Sequence, residues 1–177
     1  MARSDNNSLS TLFALTAQVP KVEFITDSLL DRVADEARHA PRLRMNYNFH
    51  RDVNEPINRL LNAMQRGTYV PAHRHLNPSL CESCVVLRGR VGVVIYDDDS
   101  HVVERRLVGV GADACGFDIE AGLWHGLVVL EDDTVLYEVK QGPYTPITAD
   151  NIAPWSPDAG DKEAVAEFVK ALEKSFE

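Results

Sequence analysis

No stretch of this 177-residue chain reaches eighteen consecutive apolar residues, which argues against a membrane-spanning helix. Cysteine is scarce and odd in number: Cys81, Cys84 and Cys115 cannot make a complete disulfide framework. Nothing reads as a secretory signal either. The mildly apolar "LSTLFALTAQ" at 9–18 is short and follows Asp5 and several asparagines. Positive charge is in deficit, with 18 Lys and Arg against 27 Asp and Glu and a net charge of −9. That balance disfavours nucleic acid and anionic membranes as partners, because phosphate contacts need clustered cations. A soluble protein of the reducing cytoplasm is the expectation.

What is present suits one folded domain. At 45% hydrophobic and 25% charged, the composition is that of an ordinary globular protein. Residues 1–20 are polar, end at Pro20 and read as a disordered tail, leaving 21–177 as a single domain. "ITDSLLDRVADEARHAP" predicts a helix over about 26–40. Thr26 or Asp27 serves as its cap, Leu29, Leu30, Val33, Ala34 and Ala37 as its apolar stripe, and Pro41 as its stop. From about 42 to 147 short apolar runs alternate with Gly, Pro and Asp clusters, the texture of a β-sandwich or barrel. "YDDDSH" at 96–101 reads as a hairpin turn, and its row of carboxylates as solvated. A second amphipathic helix is expected over about 161–175, with Val165, Phe168, Val169 and Leu172 on one side.

Within the β region, "RLRMNYNFH" at 42–50 alternates without a slip. Leu43, Met45, Tyr47 and Phe49 point one way; Arg42, Arg44, Asn46, Asn48 and His50 point the other. The apolar row needs a core. The polar row faces either water or a ligand.

The segment "GTYVPAHRHLNPSLCESCVVLRG" at 67–89 carries the strongest chemical signal. His73 and His75 lie two apart, so on a strand both rings leave one face, roughly 7 Å apart along the chain. Two such rings can converge on one ion. Glu82 lies beyond a turn marked by Asn77 and Pro78, and "EAGLWHGLVVL" supplies His125 just after a glycine. Three neutral imidazoles and one carboxylate would leave a divalent ion with a net charge of about +1 and room for a ligand. "CESC" raises the alternative of a thiolate site. On a strand, however, residues three apart face opposite ways, so Cys84 alone would share the face of Glu82; small buried hydrophobes are the competing role.

Gly67, His73, His75, Glu82 and Gly89, followed by Gly122 and His125, resemble the two motifs of the cupins. Two departures stand out. Six residues separate His75 from Glu82 where most cupins have three or four, and Glu120 and Val129 replace the usual Pro and Asn of the second motif. With "RMNYNFH", "NRLLNAMQRGTYVPAHRH", "VVLRGRVGVVIYDDD", "IEAGLWHGLVVLEDDTVLYEVKQGPY" and "APWSP", the chain is more specifically similar to the WbuC-type cupin fold metalloproteins over roughly residues 22–175. The resemblance implies a mainly β fold, a double-stranded β-helix or jelly-roll barrel, flanked by an N-terminal and a C-terminal helix. It also implies one divalent metal ion (Zn, Fe, Mn or Ni) held by His73, His75, Glu82 and His125, a homodimer, and a distant link to surface-polysaccharide (O-antigen) metabolism.

Around that centre, Arg44, Asn46, Asn48, His50, Tyr69, Lys140 and Tyr144 are the candidate substrate contacts. Glu138, Lys140 and His50 are the candidate acid–base groups. Glu138 and Lys140 share a strand face with Leu136, and are either a pocket pair or an exterior salt bridge. Tyr69 shares the face of His73 only if Pro71 does not bend the strand. Trp155 either walls a mouth or packs, and Arg74 should point away from the histidines. The leading expectation is a small-molecule metalloenzyme, isomerase-, epimerase- or oxygenase-like, acting on a carbohydrate-like or carboxylate- and hydroxyl-bearing substrate. The competing functions are a non-catalytic ligand-binding module and a structural cupin with a stabilising metal.

Overall fold

A computed structural model describes residues 22–76 and 78–177; the expected tail at 1–20 lies outside the described residues. Helix α1 runs from Asp27 to His39, with the Thr26 hydroxyl accepting a 3.3 Å hydrogen bond from the Leu29 amide as its N-cap. Ala40 leaves the helix with extended backbone, as a residue before proline must. The predicted stripe of Leu29, Leu30, Val33, Ala34 and Ala37 is fully buried.

Eight strands follow: β1 (Arg44–Asn48), β2 (Ile57–Met64), β3 (Glu82–Arg88), β4 (Arg90–Tyr96), β5 (Val102–Gly109), β6 (Gly116–Ile119), β7 (Trp124–Val129) and β8 (Thr134–Gln141). They form two antiparallel sheets, ordered β1-β2-β8-β3-β6 and β5-β4-β7. Strand β3 pairs with β8, and β4 with β7. The run β3–β4–β5 is therefore wound antiparallel against the run β6–β7–β8, which is the double-stranded β-helix. Helix α2 (Lys162–Lys174), capped by the Asp161 carboxylate on the Ala164 amide at 3.1 Å, closes the chain.

The pleat of β1 explains how the larger sheet is used. Met45, Tyr47 and Phe49 pack against the α1 cluster with Leu61, Ala63 and Val135. Phe49 meets Tyr47 and Tyr137 edge-on at 5.4 and 5.9 Å. With one face of the sheet covered by α1, the opposite row of β1, β2 and β8 looks between the two sheets. Met64, Cys84, Val86, Val91, Val93, Val108, Val129 and Leu136 fill one part of that interior, and the other part stays open.

The smaller sheet buries its outer face against the C-terminal segment, where Ala72, Val94, Tyr96, Trp124 and Ala153 pack with Trp155, Leu172 and Phe176. Trp155 is thus a packing residue. Gly92 matters here, because a Cβ at that position would drive into the Phe176 ring. Gly89, between β3 and β4, takes a positive φ of 73° and leaves no room for a side chain beside Thr134.

The histidine segment departs from expectation. Residues 70–75 are not a strand: His73 makes isolated bridges to His125 of β7 on one side and to Ile152 on the other. Pro71 has no amide hydrogen to give a ladder, and the Ala72 amide donates to the Ser156 hydroxyl at 2.9 Å instead.

Replacing Leu61, fully buried between α1 and the large sheet, with Ala should destabilise the protein by about 2–5 kcal/mol. Urea unfolding would show this as a lower midpoint at unchanged slope.

Candidate metal centre

His73 is placed by a pair of backbone hydrogen bonds with His125, amide to carbonyl in each direction, both 2.8 Å. Each ring is then pinned by a carbonyl two residues back: His73 Nδ1 lies 2.9 Å from Pro71 O, and His125 Nδ1 lies 2.9 Å from Leu123 O. A carbonyl only accepts, so in both rings Nδ1 carries the hydrogen and Nε2 carries the lone pair.

These nitrogens converge. The ligating atoms of His73, His75, Glu82 and His125 all lie within 4.8 Å of one another, and all four residues are buried. Ring centroids stand 4.3 Å apart for His73–His125 and 5.0 Å for His73–His75. Glu82 Oε2 is 3.2 Å from His75 Nε2, and Glu82 Oε1 is 3.3 Å from His125 Nε2. The second separation is not a hydrogen bond, because His125 Nε2 has no aligned partner. A buried nitrogen lone pair without a donor is open to a cation. One cation does reach the cluster: Lys140 Nζ lies 3.0 Å from His75 Nε2 and 3.2 Å from Glu82 Oε2.

The charge states follow from these neighbours. Burial, reinforced by His125, pushes the His73 pKa down to about 3, so the ring stays neutral. Burial opposes ionisation of Glu82. The polar neighbours of the carboxyl, the Lys140 ammonium among them, outweigh it and hold the carboxyl well below the usual range. Three imidazoles and one carboxylate are a donor set that suits a divalent transition ion.

Beside the cluster lies a cavity of about 180 Å³. Arg44, Asn46, Glu138 and Lys140 line it, as the alternation of β1 and β8 predicts, together with Cys84. Burial pushes the Cys84 thiol up, so it stays protonated. The Arg44 guanidinium donates to no acceptor among the described residues. Burial and then Arg42 lower its pKa, while Glu138 works the other way. Burial, with the Glu82 charge next, raises the Glu138 pKa. Although protein surrounds it, this carboxyl still borders the cavity.

A second cavity of about 240 Å³ adjoins the first, and Asn46, Glu138 and Lys140 line both. Asn48, His50 and Tyr144 line this second chamber only, with Leu60, Leu80 and Asn58. His50 is therefore not in the cavity of the cluster, and its Nδ1 is engaged with the backbone of Arg59 at 3.0–3.1 Å. Tyr69 lines neither cavity. Its hydroxyl donates to Pro157 O at 2.6 Å and its ring packs edge-on against Phe168. Because residues 70–75 are not a strand, parity does not carry from His73 back to Tyr69.

For Glu138 and Lys140 two roles were open, a pocket pair or an exterior salt bridge. Both face the cavity, but the ion pair of Lys140 is with Glu82, directly opposite it across β3 and β8. Arg74 points away from the cluster, 4.1 Å over the Trp124 ring. Arg42, expected in water, is exposed yet also borders the first cavity. Asn62 was not singled out from sequence. It borders the first cavity with a buried, unpaired Oδ1, and the row Asn58, Leu60, Asn62, Met64 in "INRLLNAM" was the signal for it.

Comparison with known proteins adds a remote frame. Residues 25–108, just under half of the chain, match the family model described as a domain of unknown function (DUF6016). No curated protein matches the sequence. Among solved structures, the chain is similar to oxalate oxidase in complex with glycolate (20% identity, 78% of this chain and 74% of that one, TM-score 0.47). It is also similar to KdgF from Halomonas sp. (18%, 60% and 85%, 0.46) and to the cupin domain of Schizosaccharomyces pombe Cnp3 (11%, 55% and 60%, 0.41). Scores this low carry nothing into the reading of the site, which stands on its own atoms.

The buried His73 makes stability depend on pH. An unfolded imidazole binds a proton near pH 6.5, while the folded one does so only near 3, so between those values the unfolded chain holds more protons. Stability must then fall as the pH falls, and Glu82 adds the same sign below the ordinary carboxylate range. Chelator-treated protein should lose a few kcal/mol between pH 7 and 4, since each pKa unit is worth about 1.4 kcal/mol. Urea midpoints across that range would record it, and His73→Gln should flatten the slope.

Proposed function

We propose that this chain is a metal-binding cupin, a single domain over residues 21–177, in which His73, His75, Glu82 and His125 hold one divalent ion (Zn, Fe, Mn or Ni). The observation that carries this reading is the convergence of pinned imidazoles whose Nε2 lone pairs face one buried point. An ion held there supplies Lewis acidity to an oxygen of a bound small molecule.

The chain's own residues then define the substrate. Arg44 offers a guanidinium at the cavity wall with no hydrogen-bond partner among the described residues, suited to bidentate capture of a carboxylate. Asn46 and Asn62 offer amides to hydroxyls. Glu138, with its raised pKa, is placed to take a proton from carbon or oxygen and return it, the role an isomerase or epimerase needs. The second chamber, with Asn48, His50 and Tyr144, receives the rest of an elongated molecule. The reading is therefore a metalloenzyme acting on a hydroxylated carboxylate of the sugar-acid kind. The resemblance to WbuC-type proteins supports placing that substrate in surface-polysaccharide metabolism. No helix among the described residues is long and apolar enough to cross a membrane. A homodimer belongs to the same reading, with the outer edges of the end strands β1 and β5 as its candidate contacts.

Elemental analysis of protein purified without added metal should find a divalent ion that His73→Ala/His75→Ala loses. Sugar acids should raise the melting temperature of the metal-loaded protein where neutral sugars do not. Arg44→Ala should weaken sugar-acid binding about ten- to a hundredfold, the worth of a charge-assisted pair of about 1.5–3 kcal/mol. Retention of metal by the double variant would overturn the assignment.

A further inference from the structure

Among groups facing the cluster, Lys140 stands apart. His73, His75, Glu82 and His125 present acceptors to one point, and the Lys140 ammonium is the cation that meets them, 3.0 Å from His75 Nε2 and 3.2 Å from Glu82 Oε2. Register puts it there: Lys140 of β8 is the direct cross-strand neighbour of Glu82 of β3. Its position cannot coexist with a coordinated ion, because the His75 Nε2 lone pair cannot accept from an ammonium and ligate a metal at once.

Charge points the same way. Glu82 and Lys140 sum to zero, so the buried cluster is neutral with the lysine in place. A divalent ion added beside an unmoved ammonium would bring the cluster to +2, with two cations about 4 Å apart, a strongly repulsive arrangement at any protein dielectric. The lysine has somewhere to go. Glu138 lies on the same face of β8, two residues or roughly 7 Å along the strand. Its one side-chain hydrogen bond among the described residues is a long 3.4 Å contact from Asn62. Both Glu138 and Lys140 border both chambers, and a lysine stem is flexible enough to pivot between the two carboxylates.

We propose that Lys140 is a tethered cation that holds the place between His75 and Glu82 until a divalent ion displaces it onto Glu138, so that metal loading resets the charge of the wall shared by the two chambers. This rests on the metal reading of the cluster. Loading leaves +1 at the metal and a Lys140–Glu138 pair between the chambers, where an incoming carboxylate meets Arg44. Lys140 is a positioning residue in this scheme, and metal affinity is its readout.

Chelator-treated wild-type and Lys140→Met proteins should be titrated with Zn²⁺ against a chromophoric chelator. Removing the competing ammonium should tighten Zn²⁺ binding about ten- to a hundredfold. Glu138→Gln, which strips the displaced lysine of its acceptor, should weaken Zn²⁺ binding several-fold in the wild-type background and have no effect in the Lys140→Met background. Should Lys140→Met fail to fold, Lys140→Gln serves in the same titration. Unchanged or weaker affinity in the lysine variants would mean that the ammonium supports the ion from outside, and would overturn the inference alone. Absence of Zn²⁺ binding by the wild type and both variants would overturn the metal reading and the inference with it.

Discussion

Everything at the centre depends on the two-bond bridge between His73 and His125. A segment that cannot be a strand is held against β7 by two backbone hydrogen bonds of 2.8 Å. On its other side, Arg74 N donates to Asn151 O at 2.9 Å and Ala153 N to Ala72 O at 2.8 Å. The histidine segment thus lies between β7 and the stretch that follows the barrel. Without that stretch, the backbone groups of residues 72–74 facing it would have no protein partner, and buried amides without partners are costly. The path from β8 to α2 is therefore part of how the histidine cluster is built. Tyr69 belongs to the same construction, since its hydroxyl and ring grip Pro157 and Phe168.

The second constraint is the division of labour across the larger sheet. A sheet of alternating residues must bury its apolar row, and in this fold α1 does so with Leu29, Leu30, Val33, Ala34 and Ala37. Because the helix covers that face, the polar row of β1 is turned toward the interior of the barrel. Arg44 and Asn46 are forced there by the same pleat that buries Met45 and Tyr47. A one-residue slip would send the guanidinium into the α1 core. The packing of α1 and the polarity of the cavity are therefore two consequences of one register.

That coupling also explains what could be read in the sequence. Both helices fall within a residue or so of their expected ends, because caps and apolar stripes are local signals. The strand runs were legible for a similar reason, and so was the convergence of His73, His75, Glu82 and His125, since spacing and the cupin-like motifs both mark it. Less legible were the partners that a long-range contact decides. Tyr69 went to the C-terminal segment and Lys140 to Glu82, and no local pattern names either partner. His50 kept its predicted face of the sheet but sits far enough along it to enter the second chamber. Asn62 is the opposite case: in "INRLLNAM" each face mixes polar and apolar residues, so the pattern does not mark Asn62, beyond the adjacent Leu60 and Leu61, as a cavity residue.

Among the described residues, hydrogen bonding inside the barrel is incomplete at the cluster and at Arg44. Three imidazole lone pairs and a carboxylate face one another around the Lys140 ammonium, while the Arg44 guanidinium, bordering the same cavity, meets no acceptor among the described residues. Each imbalance would be destabilising in a sealed core. Their signs are complementary to a divalent cation and an anion bound together. A cation at the histidines would answer the first and an anion at Arg44 the second. The polar pattern of the interior therefore fits a cation and an anion together, as the proposed function requires.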